Sequence, residues 1–144
     1  MTLTAEDLFT NGIERYKNGE PVAELIPVFK ELCDRAPKSS PAWTCLSWLY
    51  LLSDKNEAAY KAAHKAVKLN PQDPQARLNV AIAMLETGKK GIRDHIDAAQ
   101  QLVTVSQELR EEVEESIADG FKRKPEWKTL KRVQDWILQR NRAE

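Results

Sequence analysis

The residues of this chain best suited to covalent or metal chemistry are two cysteines, Cys33 and Cys45, and two histidines, His64 and His95. A nucleophilic thiolate needs a base or cation beside it, and a zinc site needs ligands paired at short spacings such as CxxC. The cysteines stand too far apart for such a site, and neither histidine has a metal-like spacing to a cysteine or to the other. A phosphate-binding P-loop, a dinucleotide-type glycine run, HExxH and GxSxG are all absent. The expectation is a protein with no catalytic residues, no metal and no cofactor. Its thiols are then structural and its imidazoles lie at the surface.

Charge is abundant but balanced, with 22 Lys and Arg against 22 Asp and Glu in 144 residues. Net charge therefore gives no whole-protein argument for nucleic acid or an anionic membrane. The longest apolar run, Trp48 to Leu52, falls far short of the roughly 20 residues that span a bilayer. The opening stretch MTLTAEDLF has no basic region followed by an apolar run, so no secretory signal is expected there. Two cysteines make no secreted disulfide framework, and reduced thiols of a cytoplasmic protein are expected.

Beta-branched alternation is missing, and the elements that must position any site are helices. Thr4 is a plausible N-cap, with Glu6 and Asp7 suiting the helix dipole, and Asn18-Gly19 closes the first helix near Lys17. A second helix runs from Pro21 to about Ala36 and carries an interior proline, Pro27. The stretch Pro41 to Pro71 reads as two amphipathic helices around the turn Ser53-Asp54-Lys55-Asn56. Trp43, Leu46, Ser47 and Tyr50 mark the inward face of the first, and Ala59, Ala63, Ala66 and Val67 that of the second. Adding 34 relates Phe9 to Trp43, Tyr16 to Tyr50, Phe29 to Ala63 and Pro37 to Pro71. A further pair from Pro74 keeps Ala76, Val80, Ala81 and Met84 but has Arg77 in place of the large aromatic. Its turn, Lys89-Lys90-Gly91, is longer, and the register slips in the following helix.

This pattern of large, small and proline positions, recurring at that one offset, resembles the tetratricopeptide repeat. The resemblance implies an all-α, right-handed solenoid forming a single domain over 1–144, expected to hold seven helices. Repeats are expected over 6–39 and 40–73, with a degenerate third over 74–105. The pair 106–144 would cap the end, since a last repeat has no neighbour to cover its apolar face. Ser106 is expected to cap an acidic helix that stops at Gly120, and Pro125 to open the last helix. Ile13 stands where the family uses a small residue.

The resemblance further implies a concave groove, lined by the first helix of each repeat, that binds a segment of another protein. The projected lining is Glu14 and Lys17, then Thr44, Trp48 and Leu51, then Gln75, Leu78, Ile82 and Leu85. It looks apolar and centred on Trp48 and Ile82, with burial of Trp48 by the chain's own helices as the competing reading. One subclass of the family clamps the terminal carboxylate of chaperones with lysine, asparagine and arginine. The matching positions here are Thr10, Glu14, Cys45, Gln75 and Asn79, of which only Asn79 could donate as that clamp needs, so chaperone-tail binding is not expected. Similar small repeat proteins act as adaptors, assembly factors or secretion chaperones. The expected partner is thus a protein or peptide segment and not a small-molecule substrate. The expected location is the cytoplasm or the periphery of a membrane complex.

The tail divides its charge. Glu108, Glu111, Glu112, Glu114, Glu115 and Asp119 make one helix acidic, while Lys122, Arg123, Lys124, Lys128, Lys131, Arg132, Arg140 and Arg142 make the next basic. Antiparallel pairing of the two is the simpler expectation. The alternative is a second surface, Lys128, Arg132 and an outward Trp136, that meets nucleic acid, a membrane surface or another anionic partner. A homo-oligomeric scaffold is the remaining alternative.

Overall fold

The computed structural model describes residues 3–138. Arg140, Arg142 and Glu144 lie outside the described residues. The described chain runs α1 (Ala5–Lys17), α2 (Val22–Arg35), α3 (Ser40–Leu52), α4 (Asn56–Leu69), α5 (Pro74–Thr87), α6 (Ile92–Val105), α7 (Gln107–Arg123) and α8 (Lys128–Leu138). That is eight helices among the described residues, four successive pairs, and not the expected seven.

Local chemistry sets the helix starts. Thr4 closes a capping box with Asp7, whose N–H donates to Thr4 Oγ1 at 3.0 Å. Ser39 and Asp73, at equivalent places in successive repeats, cap α3 and α5, each with a proline in the first turn. Ser106 caps α7, its Oγ accepting the Leu109 N–H at 3.1 Å. Gly88, left-handed at φ 71°, ends α5 while Lys89 N–H donates to Met84 carbonyl at 2.9 Å. The start of α5 follows that of α3 at the regular repeat offset, Ser40 to Pro74, whereas the step from α4 to α6, Asn56 to Ile92, is longer by two. The two extra residues in α5 and its turn are the source of the register slip.

Stacking works by exchange of volume. Ala59, Ala63, Ala66, Ala76 and Ala81 are fully buried, so neighbouring helix axes come close. In the first pair Phe29 stands where the second has Ala63, and the space it fills lies over Gly12, where a Cβ would come 2.8 Å from the Phe29 ring. The small position of the first repeat has thus moved one residue, from Ile13 to Gly12. Arg77, the departure from the aromatic pattern, keeps a function of its counterpart. Trp43 Nε1 donates to the Pro37 carbonyl at 2.9 Å, and Arg77 Nε donates to the Pro71 carbonyl, its equivalent in the next repeat, at 3.2 Å.

The largest difference from expectation lies in α7. Gly120 does not end the helix, which continues three residues to Arg123. It is buried, and a Cβ there would sit 2.9 Å from Leu130 Cδ2 and 3.0 Å from the Trp48 ring. This glycine is a packing position. α8 likewise begins at Lys128, with Pro125 in the preceding turn. Val113, Ile117, Leu130, Val133 and Ile137 then join Leu78, Ala81 and Ile82 in one core.

Gly120→Ala therefore discriminates two roles. A solvent-exposed helical site would gain up to about 1 kcal/mol from alanine's better propensity. A packed site loses about 1–3 kcal/mol to overpacking. Urea denaturation of Gly120→Ala is expected to show the loss.

Candidate protein-binding site

The concave face of α1, α3 and α5 is not an open trough, because α7 and α8 occupy much of it. Trp48 is only 8% exposed and its ring lies 5.5 Å from that of Trp127, tilted by 42°. Leu51, Leu78 and Ile82 are buried in the same core, and Leu85 is half-buried against it. These side chains do not line a free groove, since the C-terminal helices take the apolar surface that the repeats leave uncovered. Glu14 and Lys17 lie on α1, Lys17 exposed, and Gln75 is half-buried on α5.

What remains is a cleft of about 380 Å³ between α1, α3 and α5 on one side and α7 on the other. Of the expected groove residues it is lined by Lys17, Thr44, Trp48 and Gln75. The structure adds Ile13, Tyr16, Phe29, Cys45 and Leu49 from the first repeats, and Glu115, Ser116 and Asp119 from α7. The α7 residues carry no repeat signal, and an end cap gives no reason to look for a groove wall. Of the residues from the first repeats, Ile13, Tyr16 and Phe29 fall on positions that the pattern assigns to packing, and Cys45 on one that matches the carboxylate clamp.

A polar latch holds α7 at the cleft. Trp48 Nε1 donates to Tyr16 Oη at 2.9 Å, and the Tyr16 hydroxyl donates to Asp119. Arg123 donates to Asp119 at 3.0 Å and to the Tyr16 carbonyl at 2.9 Å, with its guanidinium 3.8 Å from the Tyr16 ring centroid. Burial, reinforced by the bond to Asp119, pushes the Tyr16 phenol well above its ordinary range. Lys124 anchors the end of the latch. It donates to the Leu51 carbonyl at 3.3 Å and pairs with Asp54 at 2.7 Å. Asp54 itself sits in the left-handed region at φ 60°.

A second network fixes α5 against α3. Asn79, fully buried, donates to Ser47 Oγ at 2.9 Å and to the Thr44 carbonyl at 3.2 Å, while Gln75 Nε2 donates to Asn79 Oδ1 at 2.8 Å. Both amide hydrogens of Asn79 are thus committed within the protein. Gln75 Oε1, on the cleft lining, is buried without a partner.

Burial pushes the thiols of Cys33 and Cys45 up to about 12, so both are protonated at neutral pH. His95 meets Arg77 Nη1 at 3.1 Å through Nδ1, and burial followed by that cation lowers its pKa. Among the described residues no group of three or more His, Cys, Asp and Glu could hold a metal ion, and no helix is long and apolar enough to cross a membrane.

On the second expected surface, Lys128 and Arg132 are exposed while Trp136 is partly exposed, with Arg132 over its ring at 5.2 Å. Of the two tryptophans, Trp127 is the inward one at 5% exposure. Among the described residues, ion pairs in the tail run within helices, as in Arg110–Glu114, Arg123–Asp119 and Lys131–Asp135, or reach Asp54. A polar link between α7 and α8 is Arg110, which donates to the Leu138 carbonyl at 2.7 Å.

Stacked helix pairs with a C-terminal pair folded onto their concave side define a helical-repeat solenoid of tetratricopeptide type. Solved structures with this fold bear that out. A T3SS complex from Aeromonas hydrophila superposes with a TM-score of 0.68 at 20% identity, covering 94% of this chain and 85% of that one. The type III secretion translocator chaperone SycD of Yersinia enterocolitica gives 0.66 at 16% identity, covering 93% and 94%. The Sgt2 TPR domain of Aspergillus fumigatus gives 0.56 at 15% identity, covering 93% and 76%. No family model matches the chain. Among curated proteins, a peroxisomal targeting signal receptor of Candida albicans is 25% identical over 83 residues, 58% of this chain but only 14% of the receptor.

Two measurements test the latch. Trp48→Ala is expected to cost about 3–5 kcal/mol of stability, the loss of a large core side chain. The raised phenol and thiols set the pH profile. Unfolded, they ionise near 10 and 9, before the folded groups do, so their stabilisation is intact below about pH 9 and is lost as pH rises. Thermal melts should show that alkaline decline, and Tyr16→Phe should flatten its part above about pH 10.

Proposed function

We propose that the protein is a non-enzymatic adaptor, assembly factor or chaperone-like escort that holds a segment of another protein in the cleft between α1, α3, α5 and α7. The observation that carries this reading is the cleft itself. It is largely apolar, walled by Tyr16, Phe29, Trp48 and Leu49, and one of its lining residues, Gln75, has a buried acceptor, Oε1, without a partner. An apolar cavity with few convergent polar groups is the common form of a recognition site, and aromatics make its anchor contacts. Protonated thiols and a His95 engaged by Arg77 support a role without chemistry. Structures of this fold include a secretion translocator chaperone and a CopN–Scc3 complex, which supports a protein partner. A cytoplasmic setting, or one beside a membrane complex, fits the same reading.

The site differs from the groove projected along the repeats. Leu51, Leu78 and Ile82 serve as core, and the contact residues are Ile13, Tyr16, Lys17, Thr44, Gln75 and Glu115, with the edge of Trp48. A photoreactive benzoylphenylalanine placed at Ser116, in the cleft, is expected to crosslink partner protein in extract of the native source. The same group at Lys68, exposed on α4, is expected to give no such adduct. Equal adducts from both positions would contradict the cleft as the binding site.

A further inference from the structure

We propose that the segment bound in the cleft is basic and amphipathic. Its apolar side chain enters the cleft, and its lysines or arginines lie along the exposed acidic face of α7. The inference rests on the cleft as a protein-binding site and adds the chemistry of what it binds.

Glu108, Glu111, Glu112 and Glu115 fall at i, i+3, i+4 and i+7 of α7, so they share one face. All four are exposed, and at about 1.5 Å per residue they cover about 10 Å of helix. The stripe runs directly to the site, since Glu115 is itself part of the cleft lining. The ion pairs of α7 among the described residues use its other carboxylates, Glu114 with Arg110 and Asp119 with Arg123. Glu111 accepts from Gln107 Nε2, a neutral donor, at 3.1 Å. Arg110 points the other way, 8% exposed and bonded to the end of α8. Among the described residues, therefore, no cation pairs with the stripe, which faces solvent.

That arrangement works against the helix. Glu108–Glu112 and Glu111–Glu115 are like charges at i,i+4, which repel, and packing of the opposite face through Val113 and Ile117 requires neither pair. A cationic partner relieves both repulsions as it binds. Lys17 is the single cation among the lining residues, on the opposite lip. A second, independent feature is Gln75 Oε1 of the same lining, a buried acceptor without a partner, which an N–H from a backbone amide or a Lys or Arg side chain would satisfy. The same negative stripe repels nucleic acid and anionic lipid, leaving a basic protein segment as the matching occupant.

The test is fluorescence anisotropy with the full chain and three labelled synthetic peptides. One is a Leu/Lys amphipath, one its Leu/Glu counterpart, and one a Ser/Lys peptide of the same length. The Leu/Lys peptide is expected to bind at least about tenfold more tightly than either of the others. Its affinity is expected to fall as salt rises. The E112K/E115K double variant, changed only at exposed positions, should weaken it by about tenfold and favour the Leu/Glu peptide. Ser116→Trp, which fills the cleft, should abolish binding while circular dichroism reports an intact fold. Should that variant unfold, a bulky maleimide coupled to folded Ser116→Cys protein supplies the same block. Equal binding of the Leu/Lys and Leu/Glu peptides, or no effect of charge reversal, overturns the basic partner while loss on blocking keeps the cleft. Binding unchanged by the block overturns the cleft reading and this proposal together. Absence of binding by all three peptides overturns the proposal. So does a concentration-dependent dimer in light scattering that E112K/E115K abolishes, because Lys61, Lys65 and Lys68 of a second copy's α4 would then be the occupant.

Discussion

The contact between Gly120 and the Trp48 ring governs the rest of the structure. A solenoid built from helix pairs always leaves its last pair and its concave side with apolar surface to cover. Here a hydrogen at position 120 lets α7 approach until its backbone meets the Trp48 indole, at a distance that a Cβ would reduce to 3.0 Å. Trp127 then closes on the same indole, and Leu130 and Ile137 follow into the core of the second and third repeats. One small residue in α7 thus decides that the concave face is mostly interior.

The polar latch gives that packing its register. Tyr16 from the first repeat, Trp48 from the second and Asp119 and Arg123 from α7 form one connected set of donors and acceptors. Each group would carry a desolvation penalty alone, and the set closes only when α1, α3 and α7 meet. Closure is incomplete beyond the latch, toward the N-terminal ends of α3 and α5. There Glu115 and Ser116 of α7 line the cleft together with Cys45 and Gln75. The cleft is the part of the concave face that α7 does not fill, which is why its two walls differ in character: apolar from the repeats, acidic from α7.

The helix pairs were legible because their signals are local or periodic. Caps at Thr4 and Ser106 need only neighbours in sequence, and the alanines of α4 recur at the spacing that two packed helices demand. Arg77 shows the limit of reading by residue type. It breaks the aromatic pattern yet repeats the N–H donation of Trp43 to a proline carbonyl. Gly120 shows a second limit, since a glycine that ends a helix and one that admits another helix look alike until the neighbour is known. Leu51, Leu78 and Ile82 lie in a core completed by residues of α7 and α8, two helices with no counterpart in the repeat.

Hydrogen exchange of the backbone amides in native buffer tests most directly the claim that α7 is part of the folded core. Amides of α7 from Val113 to Gly120 are expected to exchange as slowly as those of α3 and to open with them in one cooperative step. Rapid exchange across α7 while α3 stays protected would contradict the account, since the concave face around Trp48 would then be covered only part of the time.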